Sequence, residues 1–144
     1  MKPSPELVLN QAFAKIAMEM GPALPPGYGQ GSATTTAVLL LMTAQEFDRA
    51  ADIRAKENRV MRALFTDAAK GIGGELGTKL NAVVGVRDED LTVSGLDRAN
   101  GELKRLLIEL QTHAEQAGDR ALELRMLRFL SEAAAARLVH LPAM

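Results

Sequence analysis

Residues 32–70 read SATTTAVLLLMTAQEFDRAADIRAKENRVMRALFTDAAK, which is 39 consecutive positions without glycine or proline. The stretch is rich in alanine, leucine, methionine, arginine, lysine and glutamate, the residues that favour helices. As one α-helix it would be roughly 58 Å long, whereas a compact chain of this size has a radius of gyration of about 15 Å. The helix is therefore predicted either to break or to extend past its own domain and to require a partner.

The two halves of this stretch are predicted to need different surroundings. Residues 38–42, Val-Leu-Leu-Leu-Met, are apolar on every side of a helix, which predicts burial on every side. Residues 52–59 are mostly charged, so this middle part is predicted to bend or to face water. Further along, Met61, Phe65 and Ala68 return to the spacing of a packed helix face.

The rest of the chain predicts an all-α fold, because aromatic residues make up only 3% of it while strands favour aromatic and β-branched residues. We predict an antiparallel bundle of four main helices in a single domain spanning residues 1–144. The helices are expected at about residues 5–20, 32–70, 97–117 and 120–140, with a Gly-rich irregular or short helical segment at 71–94.

Capping and breaking residues set these boundaries. Ser4 is an N-cap candidate and Pro5 suits the first helical position, where its missing N–H costs nothing. Gly118 followed by Asp119 combines a helix-terminating glycine with an N-cap, which is typical of two helices joined by a tight turn. Residues 21–31 are rich in glycine and proline and are predicted to form a loop of about ten residues.

The last predicted helix carries apolar residues on two faces. One face holds Leu122, Met126, Phe129, Ala133 and His140, and the other holds Leu124, Leu127, Ala134 and Leu138. An apolar arc this wide predicts contact with more than one neighbouring helix. Together with the long helix it predicts a homodimer, with the long helix, the last helix or both at the interface.

The amino-acid composition limits which binding partners and which cellular compartment are expected. The chain has 17 basic and 18 acidic residues without a basic patch, so no nucleic-acid partner is expected. It has no cysteine, which excludes disulfides and thiolate metal sites. The N-terminus lacks the apolar core of a signal peptide, and the longest apolar run, residues 37–42, is far shorter than a membrane span. We expect a cytoplasmic protein with no membrane partner.

The segment Gly27–Thr36 is the best local candidate for ligand binding. Glycines let a ligand approach the backbone, and a helix N-terminus with several hydroxyls suits a phosphate or carboxylate. The candidate ligand-binding residues are Tyr28, Gly29, Gly31, Ser32, Thr34 and Thr35. A helix rather than a strand precedes the segment and no lysine follows its glycines, unlike nucleotide-binding motifs. The alternative interpretation is a flexible connection with a helix cap, in which Tyr28 serves packing.

A second candidate is a metal site at Glu109 and His113. They lie one helical turn apart, at the edge of an apolar stripe that includes Leu106 and Leu110, and a carboxylate and an imidazole so placed can share a divalent metal. Glu102 lies on the same stripe. The alternative is that these residues are solvated at the helix edge, as glutamate and histidine there normally are, because the chain has only two histidines and ligand number makes such sites specific. The acidic run at residues 88–90 is predicted to be a solvated turn.

These observations predict a non-enzymatic interaction, regulatory or scaffold module that acts as a homodimer, binds another protein and carries no cofactor. The alternative is a small-ligand-binding protein or enzyme that holds an anionic group at residues 27–36, with Glu109 and His113 as acid/base or metal residues. No nucleophile–base arrangement is visible in the sequence, and a helical bundle by itself supports no particular function.

Overall fold

The computed structural model describes residues 2–140. All regular secondary structure within them is helical, which confirms the all-α class. The elements in chain order are α1 (Pro5–Lys15), a π-helical segment (Ile16–Met20), α2 (Gly21–Ala23), α3 (Tyr28–Ala68), α4 (Gly74–Ala82), α5 (Val93–Ala117) and α6 (Arg120–Ala136). The described residues divide into an N-terminal unit (2–50 and 139–140) and a C-terminal unit (51–138), and α3 contributes to both.

The N-terminal unit begins as the sequence predicts. The side chain of Ser4 accepts a hydrogen bond from the backbone N–H of Leu7 at 3.2 Å, and Pro5 occupies the first helical position. The helix does not stop at the following Gly-Pro pair, however, and helical turns continue to Ala23. Of the loop predicted at residues 21–31, only residues 24–27 are non-helical.

The loop is shorter than predicted because Pro25, rather than a glycine, determines where the helix ends. Pro25 disfavours the helical region for the residue before it, and Leu24 is extended, with ψ at 145°. Beyond Gly27 the chain enters α3 at once. Two glycines in its first turns cost about 1 kcal/mol each, which a helix of 41 residues outweighs, because propagation is favourable once a helix has been nucleated.

The C-terminal unit is built around a core formed by the second part of α3 together with α4, α5 and α6. Its fully packed members are Met61, Leu64, Phe65, Leu80, Leu103, Leu106, Leu107, Leu110, Ala114, Leu122, Met126 and Phe129. The return of α3 to a packed face at residues 61–68 is confirmed. So are the short helix within residues 71–94 and, on the first apolar face of the last helix, the burial of Leu122, Met126 and Phe129.

The turn between α5 and α6 also forms as predicted. Gly118 adopts the left-handed conformation, with φ at 67°. Asp119 then caps α6 by accepting a hydrogen bond from the backbone N–H of Leu122 at 3.0 Å. α5 begins earlier than expected because Thr92 is its N-cap, and the Thr92 side chain accepts from the N–H of Gly95 at 3.1 Å.

α6 ends at Ala136 rather than at residue 140, so the predicted place of His140 on its buried face is wrong. The backbone of Arg137 leaves the helical region, with φ at −99° and ψ at 3°. The guanidinium of Arg137 is bound by a carboxylate of α3 instead. His140 is exposed, and its backbone N–H and C=O both bond the side-chain amide of Gln45, at 2.9 and 2.6 Å.

We expect Gly77→Ala in α4 to lower the free energy of unfolding by about 1–3 kcal/mol, because a Cβ at this buried position would overlap the backbone carbonyl of Ile72. Gly101→Ala in α5 is the matched control. A Cβ there meets nothing within 4 Å, so the change is expected to stabilise the protein by about 0.5–1 kcal/mol. Urea unfolding of both variants measures the two effects, and equal stability of the two would contradict this account.

Candidate functional site

The structure places all the predicted ligand-binding residues in the first turns of α3: Tyr28, Gly29, Gly31, Ser32, Thr34 and Thr35. The hydroxyls of Thr34 and Thr35 donate to helix carbonyls four residues back, at 3.1 and 3.0 Å. The N–H of Gly31 donates to the carbonyl of Gly27 at 3.1 Å. The glycines therefore form a helix rather than the predicted loop, and these donors are used within it. Tyr28 is 94% exposed, so it does not pack against the rest of the described chain.

The two predicted metal ligands lie on the exposed side of α5. The carboxylate of Glu109 accepts a hydrogen bond from the ammonium of Lys79 at 2.8 Å. His113 lines a cleft of about 390 Å³ with Asp67, Asp119 and other residues. Nowhere in residues 2–140 do three or more histidine, aspartate or glutamate side chains come together as a metal site. The structure thus adds no third ligand to the predicted pair.

A buried polar network in the C-terminal unit was not predicted at all. It is centred on Glu57, which is only 5% exposed. Its carboxylate accepts two hydrogen bonds from the guanidinium of Arg137, at 2.8 and 2.9 Å, and one from the amide of Asn100 at 2.9 Å. The ammonium of Lys104 lies 3.4 Å away. The carboxylate of Glu57 thereby ties α3 to α5 and to the residue that follows α6.

The network continues through two buried amides to a second carboxylate. Asn100 donates to the side-chain oxygen of Asn58 at 3.0 Å. Asn58 in turn donates to the backbone carbonyl of Leu96 and to the carboxylate of Asp88, both at 3.2 Å. Asp88 also accepts from the guanidinium of Arg62 at 2.7 Å. The segment between α4 and α5 is held against α3 by these contacts.

Both carboxylates of the network are stabilised in their ionised form. Burial alone would raise the pKa of Glu57, but the hydrogen bonds from Arg137 and Asn100 and the charge of Lys104 outweigh it and lower this pKa below its usual value. The hydrogen bond from Arg62 lowers the pKa of Asp88, against the opposing effect of burial. Because both carboxylates are bound and ionised, the network suits a structural role better than proton transfer.

These groups correct two predictions. Glu57 and Asn58 lie in the charged middle of the long helix, where a bend or exposure was expected, yet both are buried and α3 is one helix through this region. Asp88 was expected in a solvated turn, yet its side chain is only 10% exposed. The available signal was the helical period, which places positions 57 and 58 on the same face of α3 as Met61 and Phe65. Their partners are too distant in sequence for spacing to reveal them.

The N-terminal unit exposes an apolar seam on α3, which we call the N-terminal seam. Its residues alternate in spacings of three and four: Tyr28, Gly31, Thr35, Val38 and Met42. Val38 is 37% exposed and Met42 is 42% exposed. The predicted burial of residues 38–42 on every side is therefore wrong within the chain, where Leu41 is buried and Leu39 is 57% exposed. No charged residue occurs from position 20 to position 45.

The second apolar face of α6 is exposed as well. Leu124 and Leu127 are each 51% exposed, whereas Leu122 and Met126 on the opposite face are in the core. Leu138, which was predicted on the same face as Leu124, lies beyond the end of α6 and is 58% exposed. Of the two apolar faces predicted for the last helix, the described residues cover the one that holds Leu122, Met126 and Phe129. Contact of the other face with a second neighbour stays a prediction.

Comparison with known proteins does not indicate a function for this chain. No protein family, curated protein or solved structure matches this sequence. Among the helices of residues 2–140, none is long and apolar enough to cross a bilayer. Residues 2–140 thus form an all-α chain with a buried polar network in one unit and an exposed apolar seam in the other.

Proposed function

We propose that this protein is a non-enzymatic helical interaction module, with a scaffold or regulatory role, that acts as a homodimer through its N-terminal seam. The observation that supports the proposal is the exposure of this seam. A helix that carries an apolar stripe gains stability by burying it against another element. In the N-terminal unit the buried apolar side chains all belong to α3, and α1 contributes none.

The spacing of the seam favours a helix as the partner. Residues that alternate by three and four along an α-helix form the stripe that packs in coiled coils and bundles. Gly31 and Thr35 are small, so a second helix can approach closely, while Val38 and Met42 supply apolar contact area. Two such seams would place these side chains against one another and remove them from water.

A second copy of the chain suits this seam because none of the seam residues is charged. The charged residues that flank it are Glu19 and Glu46. A two-fold interface uses the same patch on both subunits, so a patch of one charge sign would repel its copy, whereas an uncharged patch would not. Self-association through residues 28–42 therefore buries apolar area without burying an unpaired charge.

The test is sedimentation equilibrium of the full chain between about 1 and 100 μM, a range that reports dimers of micromolar affinity. The wild-type protein is expected to form dimers. The double variant Val38→Glu, Met42→Glu is expected to be a monomer at every concentration, because pairing would bury four carboxylates. Both positions are exposed, so circular dichroism should show unchanged helix content.

Leu127→Glu on α6 is the matched control, since Leu127 is also exposed and apolar but lies outside the seam. It is expected to leave dimerisation unchanged. A wild-type protein that is monomeric at 100 μM would refute the homodimer. A dimer that is broken by Leu127→Glu and survives the double substitution would place the interface on α6 and contradict the assignment to the seam.

A further inference from the structure

A cleft of about 570 Å³ lies in the C-terminal unit between α3 and the segment that connects α4 to α5. This volume is within the range of pockets that hold small organic molecules. The charged and hydroxyl side chains that line it are Arg59, Arg62, Thr66, Arg87 and Asp88. Neither the predicted ligand-binding residues nor the predicted metal ligands lie here.

The cleft has an excess of positive charge. Its three arginines face one carboxylate, that of Asp88, which is bound by Arg62 at 2.7 Å and by Asn58 at 3.2 Å. No acidic side chain within residues 2–140 forms an ion pair with Arg59 or Arg87, and both arginines are exposed. Two guanidinium groups are therefore free to bind an anion.

Arg62 provides a second, independent observation. Its side chain is 13% exposed, and its Nε is buried without a hydrogen-bond partner in the described chain. A buried donor that is left unpaired is costly and uncommon in folded proteins. The Thr66 hydroxyl donates to the backbone carbonyl of Arg62 at 2.8 Å and is not a hydrogen-bond partner of this Nε. The guanidinium of Arg62, which lines the cleft, therefore holds a polar group that the described chain leaves unpaired beside Arg59 and Arg87.

The remaining lining of the cleft is apolar and includes Ala63, Val86 and Leu91. A bare inorganic ion would use only the arginines, whereas a ligand with an apolar group would also cover these side chains. Guanidinium groups bind phosphate and carboxylate in a bidentate manner. We propose that this cleft binds a small organic oxyanion, a phosphate monoester or a carboxylate that carries an apolar group, held by Arg59, Arg62 and Arg87.

The site is tested by titrating the ¹⁵N-labelled full chain with phenyl phosphate, benzoate or inorganic phosphate and following the amide and guanidinium resonances. Phenyl phosphate or benzoate is expected to shift the signals of Arg59, Arg62 and Arg87, and inorganic phosphate to bind more weakly than phenyl phosphate. In the double variant Arg59→Ala, Arg87→Ala the dissociation constant of the tighter-binding organic probe should rise by about tenfold or more, because two charge-assisted contacts are lost.

Arg105→Ala is the matched control, because Arg105 is an exposed arginine on α5 that does not line the cleft. It should leave the dissociation constant unchanged within about twofold. Tighter binding of phenyl phosphate than of benzoate identifies a phosphate monoester as the ligand class, and the reverse order identifies a carboxylate. The absence of shifts at about 10 mM of both organic probes, or equal binding by the double variant and the wild type, would overturn the proposal.

Discussion

Replacement of Phe65 with alanine is expected to lower the free energy of unfolding by about 3–5 kcal/mol. Phe65 has no exposed surface and lies in the core of the C-terminal unit, in the cluster that includes Met61, Leu80 and Leu110. Removing its ring loses the free energy of burial and leaves a cavity, because the neighbouring helices relax only in part. Chemical denaturation followed by circular dichroism measures the effect.

Phe47→Ala is the matched control for this substitution, since both phenylalanines belong to α3. Phe47 is 57% exposed, so its truncation in the monomer is expected to change stability by less than about 0.5 kcal/mol. The contrast tests the assignment of the core along one helix. Similar losses for the two variants at a protein concentration where the chain is monomeric would show that the core is assigned incorrectly.

Replacement of Arg137 with methionine is expected to lower the free energy of unfolding at pH 7 by about 2 kcal/mol. The substitution keeps an unbranched apolar stem but removes both hydrogen bonds to Glu57, at 2.8 and 2.9 Å. A buried carboxylate then keeps only Asn100 and the more distant Lys104. The effect is smaller than that of breaking a fully buried pair, because the Arg137 side chain is 35% exposed.

This loss should depend on pH in a defined direction. The lowered pKa of Glu57 means that its ionised form stabilises the folded protein above the unfolded-state pKa, and that this contribution is lost as the pH falls through the folded pKa. Without Arg137, the effect of burial raises the pKa of Glu57 relative to the wild type. The stability difference between wild type and variant is therefore expected to shrink as the pH falls from 7 towards 4.

Urea unfolding at several pH values measures this difference, and carboxyl ¹³C chemical shifts report the pKa of Glu57 directly. Arg128→Met on α6 is the matched control, because Arg128 is exposed and lies outside the network. It should change stability little, by the same amount at every pH. An Arg137→Met effect that is constant between pH 7 and pH 4, with an unmoved pKa of Glu57, would contradict the role assigned to this ion pair.

The candidate sites include features that could not be predicted from the sequence. The residues at positions 28–35 were correctly placed near the start of a helix, but glycine content suggested a loop where the long helix already begins. The arginine cleft was not predicted, because Arg59 and Arg87 belong to different elements. They line the same cleft, where Asp88 is bound to Asn58 and Arg62 and so holds the connecting segment on α3.

The sequence by itself determined the features that depend on neighbouring positions. Residue composition predicted the helices, Ser4 and Asp119 predicted two caps, and the three-four spacing of leucines in α5 predicted its buried face. These follow from local propensity, from hydrogen bonds between residues three positions apart and from helix periodicity. Each of these features depends only on residues within a few helical turns of one another.

Only the tertiary structure decided which residues of the long helix are buried. Glu57 is charged and was expected to face water, but Arg137, 80 positions away in sequence, makes its burial tolerable. Val38, Leu39 and Met42 are apolar and were expected to be covered, but no element within residues 2–140 buries them fully. Burial depends on what packs against a side chain, and that partner is specified by distant residues rather than by the residue's own neighbours.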